Sequence, residues 1–154
     1  MIERKIDTFL KEWKEDVNKK PLIVKGARQI GKTFSIMQFA TSSYKYVVNI
    51  NFALQEKFKT IFNDGFDVDA IINNITLLDP NIKIEAGNTL IFFDELQACS
   101  NCATSLKPFA IDGRYDVICS GSPMGINYHE IESNSVGYKT DYEMQSRDFE
   151  QFFH

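Results

Sequence analysis

Apolar positions recur at two periods along this chain, and the alternation between them sets out a series of strands and helices. Ile6, Phe9, Leu10, Trp13 and Val17 fall three or four apart across residues 3–17, one stripe of an amphipathic helix within residues 1–18. Asn18-Lys19-Lys20-Pro21 breaks that pattern, and Pro21-Leu22-Ile23-Val24 is short and apolar enough for a first strand. A helix-like run from Phe34 to Ala40 and a polar break at Thr41-Ser42-Ser43 lead into Tyr44 to Phe52, whose β-branched and aromatic residues predict a second strand.

Helical spacing returns over 54–63 (Leu54, Phe58, Ile61, Phe62) and 67–78 (Val68, Ile71, Ile72, Ile75, Leu78), with Gly65 between. Turn signals at Asp79-Pro80-Asn81 and Ala86-Gly87-Asn88 bracket a weakly patterned segment. Thr89-Leu90-Ile91-Phe92-Phe93 then reads as a third strand buried on both faces. Ala103, Leu106, Phe109 and Ala110 predict a helix over 103–111 closed by Gly113, and Tyr115 to Ser120 a fourth strand. Residues 123–135 are loop-like, 136–144 supply a fifth strand, and Asp148 to Phe153 opens an amphipathic segment at the end of the sequence. Strands alternating with helices build a mostly parallel five-stranded sheet covered on both faces, a three-layer α/β/α architecture.

Composition changes this picture little. The 154 residues are one domain's worth, and 44% hydrophobic with 25% charged residues suits a globule with its own core. A net charge of −4 without any block of five like charges leaves no footprint for nucleic acid or membrane. Met1-Ile2-Glu3-Arg4 opens no signal peptide, and three cysteines in no framework spacing suit reduced thiols, so the cytoplasm is expected. Cys99-Ser100-Asn101-Cys102 is a lone C-x-x-C with only His129 and His154 for company, so loop cysteines are favoured over a metal or redox centre.

Candidate chemistry begins at Gly26-Ala27-Arg28-Gln29-Ile30-Gly31-Lys32-Thr33, which fits Gly-x4-Gly-Lys-Ser/Thr between the first strand and the first long helix after it. Glycines at both ends let the backbone curl so that successive N–H groups converge on an anion, and the helix that follows adds its own N-terminal attraction. The residues expected to contact nucleotide are Gly26 through Thr33, with Phe34 beyond them and Ser122. Lys32 is expected between the β and γ phosphates, and the Thr33 hydroxyl on magnesium.

A second landmark closes the third strand. Asp94 and Glu95 follow the apolar run in the form of a Walker B motif, which gives Asp94 to the magnesium through water and Glu95 to the attacking water. The fourth strand runs into Ser120-Gly121-Ser122, and either serine is placed to touch the γ-phosphate, as a serine-rich turn is also placed to do nothing.

These residues resemble the prokaryotic AAA-like ATP-binding proteins, whose N-terminal ATPase domain precedes a helical lid and a C-terminal domain of uncertain function. Lys20 to Thr33, Val48 to Phe52, Leu90 to Gln97 and Val136 to Met144 carry the likeness. The resemblance implies ATP and Mg2+ as ligands, the roles given above for Lys32, Thr33, Asp94 and Glu95, and a sheet with the fourth strand between the first and third, as in the additional-strand class. Pro123-Met124 departs from the small or aliphatic residues of the family. The chain also ends where the family's lid begins, so one ATPase core over residues 1–154, truncated before the lid, is the expected organisation.

Two functions follow as expectations. The first is Mg-dependent ATP hydrolysis, slow in this form because none of Arg4, Arg28, Arg114 and Arg147 has a motif marking an arginine finger. The alternative is a nucleotide-dependent switch read by a protein partner or by further copies in a homo-oligomer. A small-molecule kinase lacks a recognisable substrate pocket, and the lone Asn18-Lys19 lacks the aspartate of a guanine-reading motif.

Overall fold

In a computed structural model that describes residues 4–26, 31–122 and 136–144, five strands pair side by side in the order β2-β3-β4-β1-β5. They are β1 (Leu22–Lys25), β2 (Tyr46–Asn51), β3 (Thr89–Asp94), β4 (Asp116–Gly121) and β5 (Thr140–Glu143), and every pairing is parallel. Among the described residues four α-helices accompany them: α1 (Lys5–Glu15), α2 (Lys32–Ser43), α3 (Val68–Leu78) and α4 (Ser100–Asp112). The fourth strand lies between the first and third, as the resemblance implied.

The period of two along each strand explains the layers. Leu90 and Phe92 of β3 join Leu22 and Val24 of β1 and Ile118 of β4 under Ile6, Leu10 and Trp13 of α1 and Ile36 and Phe39 of α2. Their alternates Ile91, Phe93, Ile23, Val117 and Cys119 point the other way, against Ile71 and Ile75 of α3 and Leu106 and Phe109 of α4. All six residues of β3 are buried, as the unbroken run required. Phe93 stacks on Phe52 at 5.5 Å between ring centres and meets Phe109 at 6.2 Å, so aromatic area dominates the α3/α4 side.

Several boundaries differ from expectation. Helix α1 stops at Glu15, and Val17 is 93% exposed rather than part of the stripe. Trp13 closes that stripe instead, its indole N–H donating to the Lys20 carbonyl at 2.9 Å. Over 54–63 the chain forms a 3₁₀ helix at Glu56–Phe62, because Asn51 Oδ1 accepts the Ala53 and Leu54 N–H groups and turns the chain before it, leaving Leu54 83% exposed. The fifth strand is confined to Thr140–Glu143, after a turn in which Gly137 has φ 86°. Helix α4 ends as expected at Gly113, whose φ of 73° suits its place and whose N–H reaches the Phe109 carbonyl.

Because all five strands are parallel, their carboxyl ends share one edge. Gly26, Asp94, Ser120 and the head of α2 all arrive there. No helix among the described residues is long and apolar enough to cross a membrane.

Candidate functional site

The site starts where β1 ends. Gly26 continues the ladder by donating its N–H to the Gly121 carbonyl at 3.3 Å, and Gly31, just ahead of α2, is in the left-handed conformation (φ 79°, ψ 23°). A residue with a Cβ is strained in that conformation, so the second glycine of the loop motif has a backbone reason to be there. Ala27, Arg28, Gln29 and Ile30 lie outside the described residues, as does Pro123-Met124. Lys32 is 9% exposed, and its ammonium donates to the Gly26 carbonyl at 2.6 Å, which brings the head of α2 back onto the end of β1. Phe34, one residue past Thr33, is half exposed under the Arg4 guanidinium, 5.5 Å from its ring centre.

Asp94 is the hub. It is 4% exposed and accepts from three donors: the Thr33 hydroxyl at 2.8 Å, the Ser120 hydroxyl, and the Glu95 N–H at 2.9 Å. A buried carboxylate left short of partners is costly, and each of these donors comes from a different element. Thr33 and Asp94, both assigned to magnesium from the sequence, are thus brought into contact. Their oxygens suit a hard cation, and among the described residues no group of three or more His, Cys, Asp or Glu forms a metal cage. That donor set fits magnesium, which keeps most of its shell for water and phosphate oxygens, better than a metal held by protein alone.

Glu95 departs from ordinary backbone geometry. Its φ of 57° and ψ of 52° make it the one non-glycine with positive φ among the described residues, a conformation that costs about 1–3 kcal/mol. The 3₁₀ turn Leu96–Ala98 follows, pinned by Leu96 in the core and by the Ala98 N–H on the Glu95 carbonyl at 2.9 Å. From this turn the Gln97 side chain donates to Glu95 Oε2, and its Oε1 accepts the Ser122 N–H at 3.3 Å.

The two serines therefore part company. Ser120 commits its hydroxyl to Asp94, while Ser122, also buried, meets the site through its main chain. The sequence reading gave Gln97 no role. Its signals are its place at the end of the Leu90–Gln97 stretch that carries the family resemblance and its position two after the second acid, but nothing in periodicity says where a side chain in a 3₁₀ turn points. Among the arginines, Arg114 lies just before β4 at the opposite edge, paired with Asp112 at 2.8 Å and Asp69 at 2.7 Å. Arg4 is buried against Asp7 and Gln38. Arg28 and Arg147 lie outside the described residues.

The cysteines correct an expectation. Cys102 sits in the core, on α4, rather than in a loop, and Cys99 is buried beside it, while Cys119 lies in the core on β4, the strand expected to hold it. All three are free, and burial pushes the Cys99 and Cys102 thiols up, which suits inert core groups.

With the geometry in place, comparison with known proteins adds a family and a fold. A family described as an AAA domain matches residues 18–153. No curated protein matches the sequence. Among solved structures, C. elegans PCH-2 is similar with a TM-score of 0.51 at 13% identity, over 90% of this chain and 41% of that one. A chain of Drosophila ORC bound to GC-rich DNA and Cdc6 gives 0.53 at 11% identity, over 88% of this chain and 53% of that one. A second, of Drosophila ORC bound to DNA, gives 0.51 at 11% identity, over 88% of this chain and 87% of that one. The chain thus spans about half the length or less of the first two, and at these identities the likeness is one of fold.

Proposed function

This chain belongs to the AAA domain family, and from that premise we propose that it is an ATP-binding domain that hydrolyses ATP with magnesium at the carboxyl edge of its sheet. The observation that carries the reading is the contact of the Thr33 hydroxyl with Asp94 across 61 residues of sequence, beside a lysine folded onto the start of its own loop.

The roles follow from the atoms. The Lys32 ammonium, now on the Gly26 carbonyl, exchanges that neutral acceptor for the β and γ phosphate oxygens, while the N–H groups at the head of α2 face the same anion. Thr33 and, through water, Asp94 would hold magnesium, whose charge would offset that of the phosphates. Ser120 keeps Asp94 oriented by its hydroxyl. Glu95 polarises a water in line with the γ-phosphorus. As the water oxygen bonds to phosphorus and the bridging oxygen leaves with ADP, the Glu95 carboxylate takes up the proton.

One observation favours a slower relative of this reading, a nucleotide-dependent switch. The described arginines are both engaged with protein groups, Arg114 with Asp112 and Asp69 at the opposite edge and Arg4 with Asp7 and Gln38. An arginine finger contributes roughly 10³–10⁵ in rate, so a chain that borrows one from a second copy or a protein partner turns over slowly alone. No nucleic-acid partner follows from a net charge of −4.

The test is ATP affinity and phosphate release on the purified chain with magnesium. Binding with release that chelation abolishes supports hydrolysis, and binding without release supports the switch. Absence of binding overturns both.

A further inference from the structure

On the reading that Glu95 polarises the attacking water, we propose that Gln97 is a positioning residue: its side-chain amide ties the Glu95 carboxylate to the main chain at the end of β4, so that turnover follows the position of Ser122. The amide nitrogen donates to Glu95 Oε2, and the amide oxygen accepts the Ser122 N–H at 3.3 Å. The tie spans the two strand ends that flank the γ-phosphate position of the proposed site.

The chemistry asks for this side chain. A carboxylate offers only acceptors and a main-chain N–H only a donor, and glutamine carries both complements on one planar group. Its reach is fixed from below, because Leu96 and Cys99 on either side of it are buried and the Ala98 and Cys99 N–H groups close the turn on the Glu95 and Leu96 carbonyls. Glu95 itself holds a left-handed backbone that no glycine relieves, so its carboxylate is aimed by its surroundings. β4 and β3 are in register up to Phe93↔Cys119, three residues before Ser122. A shift of the β4 end against the β3 end is therefore passed through one amide to the carboxylate.

The experiment compares Gln97→Met, which keeps length and loses both bonds, with Gln97→Glu, which keeps an acceptor for Ser122 and loses the donor to Glu95. Each is made alone and in a Glu95→Gln background, with thermal midpoints confirming the fold. Gln97→Met is expected to lower kcat about tenfold or more while MgATP affinity stays within about twofold. Gln97→Glu should fall at least as far, and neither should cost anything further once Glu95 is glutamine. Unchanged kcat, a loss of affinity in place of rate, or an equal loss in the Glu95→Gln background overturns the proposal. The side-chain amide resonance of Gln97, identified by its absence in Gln97→Met, reads the tie without turnover. If the chain releases no phosphate yet this resonance moves on Glu95→Gln and on adding MgATP, hydrolysis fails as the function and the tie stands. A resonance indifferent to Glu95→Gln sinks the tie whatever the turnover.

Discussion

The two edges of the sheet hold charged groups of opposite character. At the amino edge Arg114 meets Asp112 and Asp69, and Lys45 meets Glu85 at 3.4 Å, all with side chains that reach solvent. At the carboxyl edge Lys32, Asp94, Ser120 and Ser122 are all buried, and Asp94 alone collects three donors. Exposed pairs exchange water for a partner with little net gain, so they accumulate without purpose. Buried polar groups are tolerated only when each is satisfied, and a fold that gathers several at one edge gives up stability there. The contrast teaches that burial of the polar groups, rather than their number, marks the site.

That contrast breaks most readily at Glu95. Glu95→Gln should lower phosphate release by about 10²–10⁴ with ATP affinity preserved, measured by steady-state turnover beside equilibrium binding. Release at the wild-type rate would reduce the two acids to a strand end like any other. Lys32→Ala comes next. Loss of a charge-assisted contact to phosphate should weaken ATP binding about 10–150-fold in titration calorimetry, and retained affinity would remove the phosphate site from this edge. A third variant tests burial itself. Ser120→Ala leaves the buried Asp94 with two donors in place of three, which should cost about 1–3 kcal/mol in denaturant unfolding. A cost near zero would mean that Asp94 is better hydrated than its burial implies.

Much of the fold was legible because its signals are local. The runs that became β1 to β4 are apolar or β-branched over their whole length, and the α/β alternation allows few arrangements. Val17 and Leu54 misled because each extends an apolar spacing, one beyond its end and the other ahead of its start, into a turn that diverts the chain. In the site, the spacing of Gly26, Gly31, Lys32 and Thr33 and the acids after Phe93 stood out as motifs. Which partners they would find did not. Ser120 reaches Asp94 only because β4 registers against β3, and Gln97 reaches Glu95 only because a glutamate takes a left-handed backbone. The first depends on a contact between segments and the second on a local backbone conformation, and neither leaves a trace in period or composition.

The smallest expected effect lies at the amino edge and sharpens the comparison most. Arg114→Ala removes two ion pairs at once, more formal contacts than Ser120→Ala removes, yet these groups reach solvent and the arginine is readily hydrated. The thermal midpoint should move less than for Ser120→Ala, and that small shift should fade in high salt, where exposed pairs are screened. The hydrogen bond from Arg114 holds the Asp112 carboxyl below its usual range, against the smaller opposing effect of burial. A carboxylate whose folded pKa is depressed contributes stability above its unfolded value, about 3.9, and loses it as pH falls through the folded value. The wild type should therefore keep its small advantage at neutral pH and lose it in acid, where the variant and the wild type converge. A larger loss than that of Ser120→Ala, persisting in salt, would show that exposed pairs at this edge matter as much as the buried network at the other, and the distinction between the edges would fall.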